Sequence, residues 1–210
     1  MRVLIACEYS GAVRDAFIAK GHQAISADIL PTEKPGPHHL GDVRELLSEK
    51  WDLIIAHPPC TYLCNSGVRW LHTEPGRWEK LEAAAKFFRL FLKSPTPRIC
   101  IENPIMHKYA IELLGGRKQT QTIQPYEYGH PESKRTALWL KGLPPLRPTE
   151  ILSRPARGFW NNQTPSGRNG LPPSKDRAKL RSKTYEGIAA AMADQWGSSG
   201  AIAQLEIING

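Results

Sequence analysis

An open α/β sheet with its chemistry at the C-terminal ends of the strands is the fold class this sequence predicts. Short apolar runs, among them Arg2 to Cys7, Leu53 to Ala56 and Arg98 to Ile101, read as buried strands. Stretches with helical spacing of apolar residues alternate with them, which is the pattern of a parallel sheet covered by helices. Strands also end abruptly in polar residues, with Asp28, His57 and Glu102 following apolar runs. Such ends are where open α/β sheets place ligands and reacting groups.

The first run, Arg2 to Cys7, leads into the small-residue turn Glu8-Tyr9-Ser10-Gly11. Val13, Ala16 and Phe17 then give Ala12 to Lys20 helical spacing, stopped at Gly21. Gln23 to Ala27 is a second strand, closed by Asp28. A strand, turn, helix and strand ending in an acid is the general arrangement for a nucleotide cofactor, with helix amides under the turn and the acid taking ribose hydroxyls. No full GxGxxG accompanies it, and an acid after a strand is equally an ordinary cap.

Pro31 to His39 reads as a loop, and Gly41-Asp42 opens a short helical stretch over Val43 to Ser48. The strand Leu53 to Ala56 breaks at His57-Pro58-Pro59-Cys60. Two prolines have fixed φ and no N–H, so they leave the ladder and present Cys60 on a stiff loop. Leu81, Ala84, Ala85, Phe88 and Leu92 spell a helix over Trp78 to Leu92. Arg98 to Ile101 is a buried-type strand ending in Glu102-Asn103-Pro104, and Ile105 to Leu114 is helical up to Gly115-Gly116.

Thr120 to Ile123 and Thr136 to Leu140 are strands joined by the loop Gln124 to Ser133. Lys141 to Ser182 is rich in Pro, Gly, Asn and Arg without periodicity, the mark of a long basic loop. Ile188, Ala189, Met192 and Trp196 restore helical spacing over Tyr185 to Trp196, and Gly197 to Gly210 reads as a frayed end or a stray strand.

A chain of 210 residues allows one core of ordinary size. No apolar run approaches the roughly 20 residues that span a bilayer. The brief apolar run before Glu8 is a first strand and not a signal peptide, so the expected address is the cytoplasm. Lys and Arg number 28 against 20 Asp and Glu, and the net charge of +8 favours a polyanionic partner. The excess gathers late: Arg147, Arg154, Arg157, Arg168, Lys175, Arg177, Lys179, Arg181 and Lys183 face Glu150 and Asp176. Cys7, Cys60, Cys64 and Cys100 lack paired CxxC spacing and are expected to be reduced, and no second Cys/His pair completes a metal site with Cys60 and Cys64.

A cysteine on a Pro-Pro loop, a carboxylate at the end of another strand and a cofactor half-site suggest one reaction class. A thiolate adds to an electron-poor ring carbon, and a carboxyl that protonates the ring nitrogen favours the addition. The packing alternative makes Cys60 a small buried residue and Glu102 a helix cap. Cys64 reads as packing, and His57 as a loop histidine contacting backbone.

These residues resemble the DNA (cytosine-5)-methyltransferase family, and the matches come in the family's order. His57-Pro58-Pro59-Cys60 looks like its Pro-Cys catalytic loop, Glu102-Asn103-Pro104 like its Glu-Asn-Val, and Tyr128-Gly129-His130-Pro131 like its Tyr-Gly-Val-Pro. Cys7 to Arg14 resembles the cofactor loop Phe-x-Gly-x-Gly-Gly, keeping Gly11 and Arg14, with Asp28 at the ribose-binding acid and Gly41-Asp42 at the Gly-Asp of the adenine edge. Lys183 to Trp196 is similar to the closing helix.

The resemblance implies a Rossmann-like S-adenosylmethionine-dependent methyltransferase fold. Its core would be 1–140, an abbreviated basic target-recognition segment 141–182, and a closing helix and tail 183–210. It implies methyl transfer to C5 of cytosine in DNA, with Cys60 attacking C6, Glu102 contacting N3 and Arg135 supplying a guanidinium to the base. Cys7, Tyr9, Ser10, Gly11, Asp28, Ile29, Asp42, Val43 and Pro58 would hold S-adenosylmethionine. Ser66, Arg69, Arg154, Arg157, Trp160 and Arg168 would contact DNA, with Phe159 or Trp160 against a base and Ser66 and Gly67 on a mobile loop. The base must be flipped out or single-stranded.

Departures from the family are Ala56-His57 for Gly-Gly, Glu8, Tyr9 and Ser10 for glycines, and Glu132-Ser133-Lys134-Arg135-Thr136 for Gln-x-Arg-x-Arg. Arg135 reaches the family's position only if the register slips by one. The short basic segment predicts relaxed sequence preference in a monomeric, phage-like enzyme of a bacterial cell. A free pyrimidine nucleotide such as dCMP, or a degenerate DNA-binding homologue, are the competing readings.

Overall fold

A computed structural model describes residues 1–175 and 177–198. The tail expected over Gly197 to Gly210 lies outside these residues from position 199 onward. Seven strands form one sheet: β1 (Arg2–Ala6), β2 (Gln23–Asp28), β3 (His38–Leu40), β4 (Leu53–Ala56), β5 (Ile99–Pro104), β6 (Gln121–Ile123) and β7 (Thr136–Lys141). Their order is β3-β2-β1-β4-β5-β7-β6. The first five strands in that order run parallel, and β7 is antiparallel to both β5 and β6. This is a Rossmann-like α/β sheet, and its strand order reverses between β1 and β4, the crevice where such sheets bind ligands.

Side-chain alternation along the strands divides the core between the two faces. Leu4 and Ala6 of β1, Ile54 and Ala56 of β4 and Ile99 and Ile101 of β5 pack under α2 (Arg77–Lys93) and α3 (Lys108–Leu113). Val3, Ile5, Leu53 and Ile55 pack on the other face with α1 (Ala12–Ala19) and α5 (Glu186–Gly197), whose Trp196 is fully buried. Both faces are therefore covered, which is why the central strands read as unbroken apolar runs.

Four differences from the sequence expectation have local causes. β3 lies in the stretch Pro31 to His39 expected as loop, because a short polar edge strand carries no apolar signal. The loop at Ser66 and Gly67 is a 3-10 helix over Asn65–His72. β5 runs on to Pro104 through its pairing with β7, so α3 begins late, where the His107 side chain accepts from the amide of Ala110. The basic segment contains a short helix, α4 (Arg177–Ser182).

Arg14 is fully buried in α1 and ties the β2–β3 connection to the sheet. Its guanidinium donates to Asp15, to Ser26 at 3.2 Å, to Thr32 at 3.1 Å and to the carbonyls of Lys34 and Pro35 at 3.0 and 3.3 Å. A Cβ at Gly11, whose φ is +74°, would meet the Arg14 Nη2 at 2.5 Å, and one at Gly36 would meet it at 2.8 Å. Both glycines are there to make room for Arg14. Replacing Arg14 with Leu strands those acceptors and is expected to cost about 3–5 kcal/mol, read as a lower urea midpoint at unchanged m. An unchanged midpoint would show that the clamp contributes nothing.

Candidate active site

A cavity of about 540 Å³ opens at the C-terminal ends of β1, β2, β4 and β5. That volume lies within the roughly 300–1,000 Å³ of ligand pockets. One half is walled by Cys7, Glu8, Tyr9 and Ser10 after β1, Asp28 and Ile29 at the end of β2, and Asp42 and Val43 before the first 3-10 turn. Pro58, Cys60, Glu102 and Asn103 wall the other half. The segment Lys179 to Thr184 lies across the mouth. It is held by the Tyr9 hydroxyl, which donates to the Lys179 carbonyl at 2.6 Å, and by Glu33, which pairs Lys179 and Lys183 at 3.2 and 2.6 Å.

Glu8 gives the cofactor half its character. Its buried carboxylate accepts from the amides of Val13 at 2.8 Å and Arg14 at 3.3 Å and from the Ser10 hydroxyl at 3.1 Å. The amides that begin α1, which could hold a phosphate, are thus occupied by the chain's own carboxylate. Burial raises the Asp28 carboxyl above its usual range, against the amide of Leu30 donating at 2.9 Å and the charge of His38. Asp42 is held down to about 2 by the Arg44 guanidinium. Cys7, in the left-handed region at φ 58°, is pushed up to about 12, by burial first and then by Asp28 and Asp42, and is no nucleophile.

On the other side of the cavity, Cys60 sits half-buried where the chain turns, and the amides of Leu63 and Cys64 donate back to its carbonyl at 3.0 and 3.1 Å. The loop is pinned to the end of β5 and the residues after it. Asn103 Nδ2 donates to the Pro58 carbonyl at 2.8 Å, and the amides of Asn65 and His107 pair with the carbonyls of Ile105 and Leu63 at 3.0 and 3.1 Å. These hydrogen bonds tie down the stretch just before Ser66 and Gly67, where a mobile loop is expected. Cys64, expected as packing, is near enough to the Cys60 thiol for each to affect the other's charge, and its Sγ is hydrogen-bonded with the Ser66 hydroxyl at 3.1 Å. The two sulfurs share one charge: the thiol of Cys60 and the dipoles of Ser66 lower Cys64, while Cys64 and burial oppose a second charge on Cys60.

The Glu102 carboxylate is almost wholly buried, and Oε2 lies 3.2 Å from Nδ1 of His57. Burial pushes it up, but the His57 hydrogen bond and the charges of Lys134 and His57 outweigh this and leave it below the usual carboxylate range. His57 therefore contacts Glu102 rather than backbone. Its Nε2 and the Asn103 Oδ1 are buried without a hydrogen-bond partner among the described residues.

All the expected cofactor residues except Gly11 line the cavity. Gly11 packs on Arg14 instead. Arg135 is exposed and does not line it; Lys134 does, with a charge that reaches Glu102 and Cys60. Both residues precede β7, whose first four residues are all buried, so no alternation of that strand announces which of the two faces the cavity. Trp160 is a second correction. It is buried and stacked on Tyr126 at 4.6 Å and 4°, so it fastens the basic loop to the segment after β6 and offers no face to a base. Ser66, Arg69, Arg154, Arg157 and Arg168 are exposed outside the cavity. Among the described residues no cluster of His, Cys, Asp and Glu could hold a metal ion, and no helix is long and apolar enough to cross a membrane.

No family model matches the chain, and no curated protein does. Among solved structures it is similar to a DNA modification methyltransferase encoded within an E. coli prophage, at 16% identity and a TM-score of 0.47 over 72% of this chain and 52% of that one. The Entamoeba histolytica methyltransferase EhMeth matches at 18% identity and a TM-score of 0.42, over 73% and 56%. The S. pombe Dnmt2 methyltransferase matches at 13% and 0.41, over 67% and 48%. The chain spans about half the length of these proteins, and the likeness is one of chain course.

The shared thiol charge is open to test by alkylation. Because the Cys60 thiol lowers Cys64 below the usual thiol value of 9.0, iodoacetamide should modify Cys64 at pH 7 faster in the wild-type protein than in the C60S variant. Equal rates across pH 6–10 would refute the pairing.

Proposed function

We propose that the chain transfers a methyl group from S-adenosylmethionine to C5 of cytosine in DNA, acting as a monomer through a covalent bond from Cys60. The observation that carries this reading is the convergence of Cys60 and Glu102 on one cavity with an acid-walled half suited to a cofactor. Occupation of the α1 amides by Glu8 argues against a phosphate-bearing cofactor there. It suits a sulfonium cation, and Asp28 is placed to accept ribose hydroxyls while Ile29, Val43 and Pro58 offer apolar surface to the adenine. When bound, S-adenosylmethionine supplies an electrophilic methyl group.

The chain's own residues do the rest. The Cys60 sulfur bonds to C6 once Cys64 or solvent has taken its proton, and Glu102 places a proton on N3 so that charge does not build on the ring. Lys134 stabilises both anionic groups and, in place of Arg135, is the cation nearest the base. Breaking the sulfur–carbon bond after loss of the C5 proton restores the thiolate. Exposed Arg154, Arg157 and Arg168 hold phosphates and leave little for sequence readout.

Labelled S-adenosylmethionine offered with duplex DNA, single-stranded DNA or dCMP tests the reading. Label should enter C5 of cytosine in DNA, and label in dCMP alone would establish the free-nucleotide enzyme instead. C60A should abolish transfer, and DNA binding with no transfer by wild type would mark a degenerate homologue. K134M should lower the rate about 10²-fold or more, as losing one charge stabiliser does, while R135A changes it less than twofold; the reverse order would return the role to Arg135.

A further inference from the structure

His57 stands where the family that the chain resembles has glycine, and the methyl-transfer steps leave it without a task. Its imidazole is 7% exposed and Glu102 is 13% exposed, at 3.2 Å from Nδ1 to Oε2. The contact comes from strand register, since Ala56 pairs with Ile101 and the next residues along are His57 and Glu102. A buried ring nitrogen with no partner, as Nε2 has none among the described residues, costs stability unless the ring is kept for its chemistry.

We propose that His57 is the positioning residue and proton reservoir of Glu102, holding on its imidazole the proton that Glu102 passes to N3 of the bound cytosine. As the Cys60 thiolate forms its bond to C6, the C5=C6 π pair moves to C4–C5 and the C4=N3 pair moves to N3. Nδ1 of His57 passes its proton to the Glu102 carboxylate, and Glu102 passes it on to N3, so that His57 ends neutral and Glu102 ends as the carboxylate it began. Once the C4=C5 pair has bonded the methyl carbon and the N3 pair has re-formed C4=N3, the C5 proton leaves to solvent, its bonding pair closes C5=C6 as the S–C6 pair departs with sulfur, and the N3 proton returns through Glu102 to His57. No oxidant or further reactant enters.

The charged groups facing the pair are Asp28 from the end of β2, Cys60 from the Pro-Pro loop, Cys100 upstream on β5 and Lys134 before β7. Lys134 and Asp28 bring opposite charge from opposite sides, so the state of the pair is set chiefly by the contact between its own members. Glu102 alone would have to be protonated from bulk water within a nearly closed wall. The histidine removes that step.

This inference rests on the cytosine reading, and its test separates the two. Full-length wild type, H57N, H57Q and H57G are incubated with S-adenosylmethionine and a random-sequence oligonucleotide pool containing 5-fluorocytosine, and the covalent adduct is timed from pH 5 to 9. Wild type should trap with a rate that falls on the alkaline side. H57N and H57Q should keep oligonucleotide affinity within about twofold yet trap about 10²-fold more slowly, as a lost general acid does, with the alkaline fall gone. H57G should recover rate when imidazole is added, which no structural role produces. Thermal unfolding of all four identifies any variant that fails to fold, and H57G with imidazole then decides. Variants trapping at the wild-type rate and profile would overturn the proposal alone; no adduct with wild type at any pH would overturn the cytosine reading and the proposal with it.

Discussion

The site depends on the parallel register of β4 and β5. Because Ile54 pairs with Ile99 and Ala56 with Ile101, the residues that leave the two strands emerge side by side. One strand continues into prolines and the other into Glu102 and Asn103, so the loop that carries Cys60 and the Glu102 carboxylate are brought together with no long-range folding device. Asn103 then fixes the spacing by donating to the Pro58 carbonyl. A slip of one residue would turn Glu102 to the other face of the sheet and leave Cys60 without its acid. β7 guards against that slip from the far side, pairing Glu102 with Leu138 and Pro104 with Thr136.

Charge is distributed against the bulk composition. A protein of net charge +8 walls its cavity with Glu8, Asp28, Asp42 and Glu102, and confines its cations there to Lys134 and the strap from Lys179 to Lys183. The acids are separately accounted for: Glu8 by helix amides, Asp42 by Arg44, Glu102 by His57 and Lys134. Asp28 alone is raised by its surroundings, which leaves it the wall acid most ready to gain a partner from a ligand. The four cations of the lining, Lys134, Lys179, Arg181 and Lys183, match its four acids in number, so the cavity does not share the excess positive charge of the chain as a whole.

Much of this is legible in the sequence because apolar runs, prolines and terminal acids are local signals. β1, β2, β4, α2 and α5 end within a residue or two of the bounds their patterns predict, and Cys60, Glu102 and Asp28 line one cavity. What stays hidden is relational. His57 reads as a loop residue because its partner is 45 positions away. Cys64 reads as packing because a thiol's role is set by the sulfur beside it. Analogy of residue type favours Arg135 over Lys134, and the approach to β7, buried on both faces, carries no alternation that would correct it. Gly11 reads as a cofactor glycine because the buried Arg14 that needs its space is invisible until the β2–β3 connection folds over it.

The pinned loop changes how the reacting groups meet a base. A mobile catalytic loop completes its site by closing, so substrate binding and assembly of the nucleophile are one event. Here the loop is held by Asn103, Ile105 and His107, and Cys60 stands beside Glu102 before anything binds. On the reading proposed above, the cost of bringing a cytosine within reach of Cys60 would fall on the nucleic acid, which would have to present the base unstacked. That cost is a few kcal/mol in a duplex and least where the base is already unpaired, so the proposed reaction is expected to run faster on single-stranded DNA than on duplex.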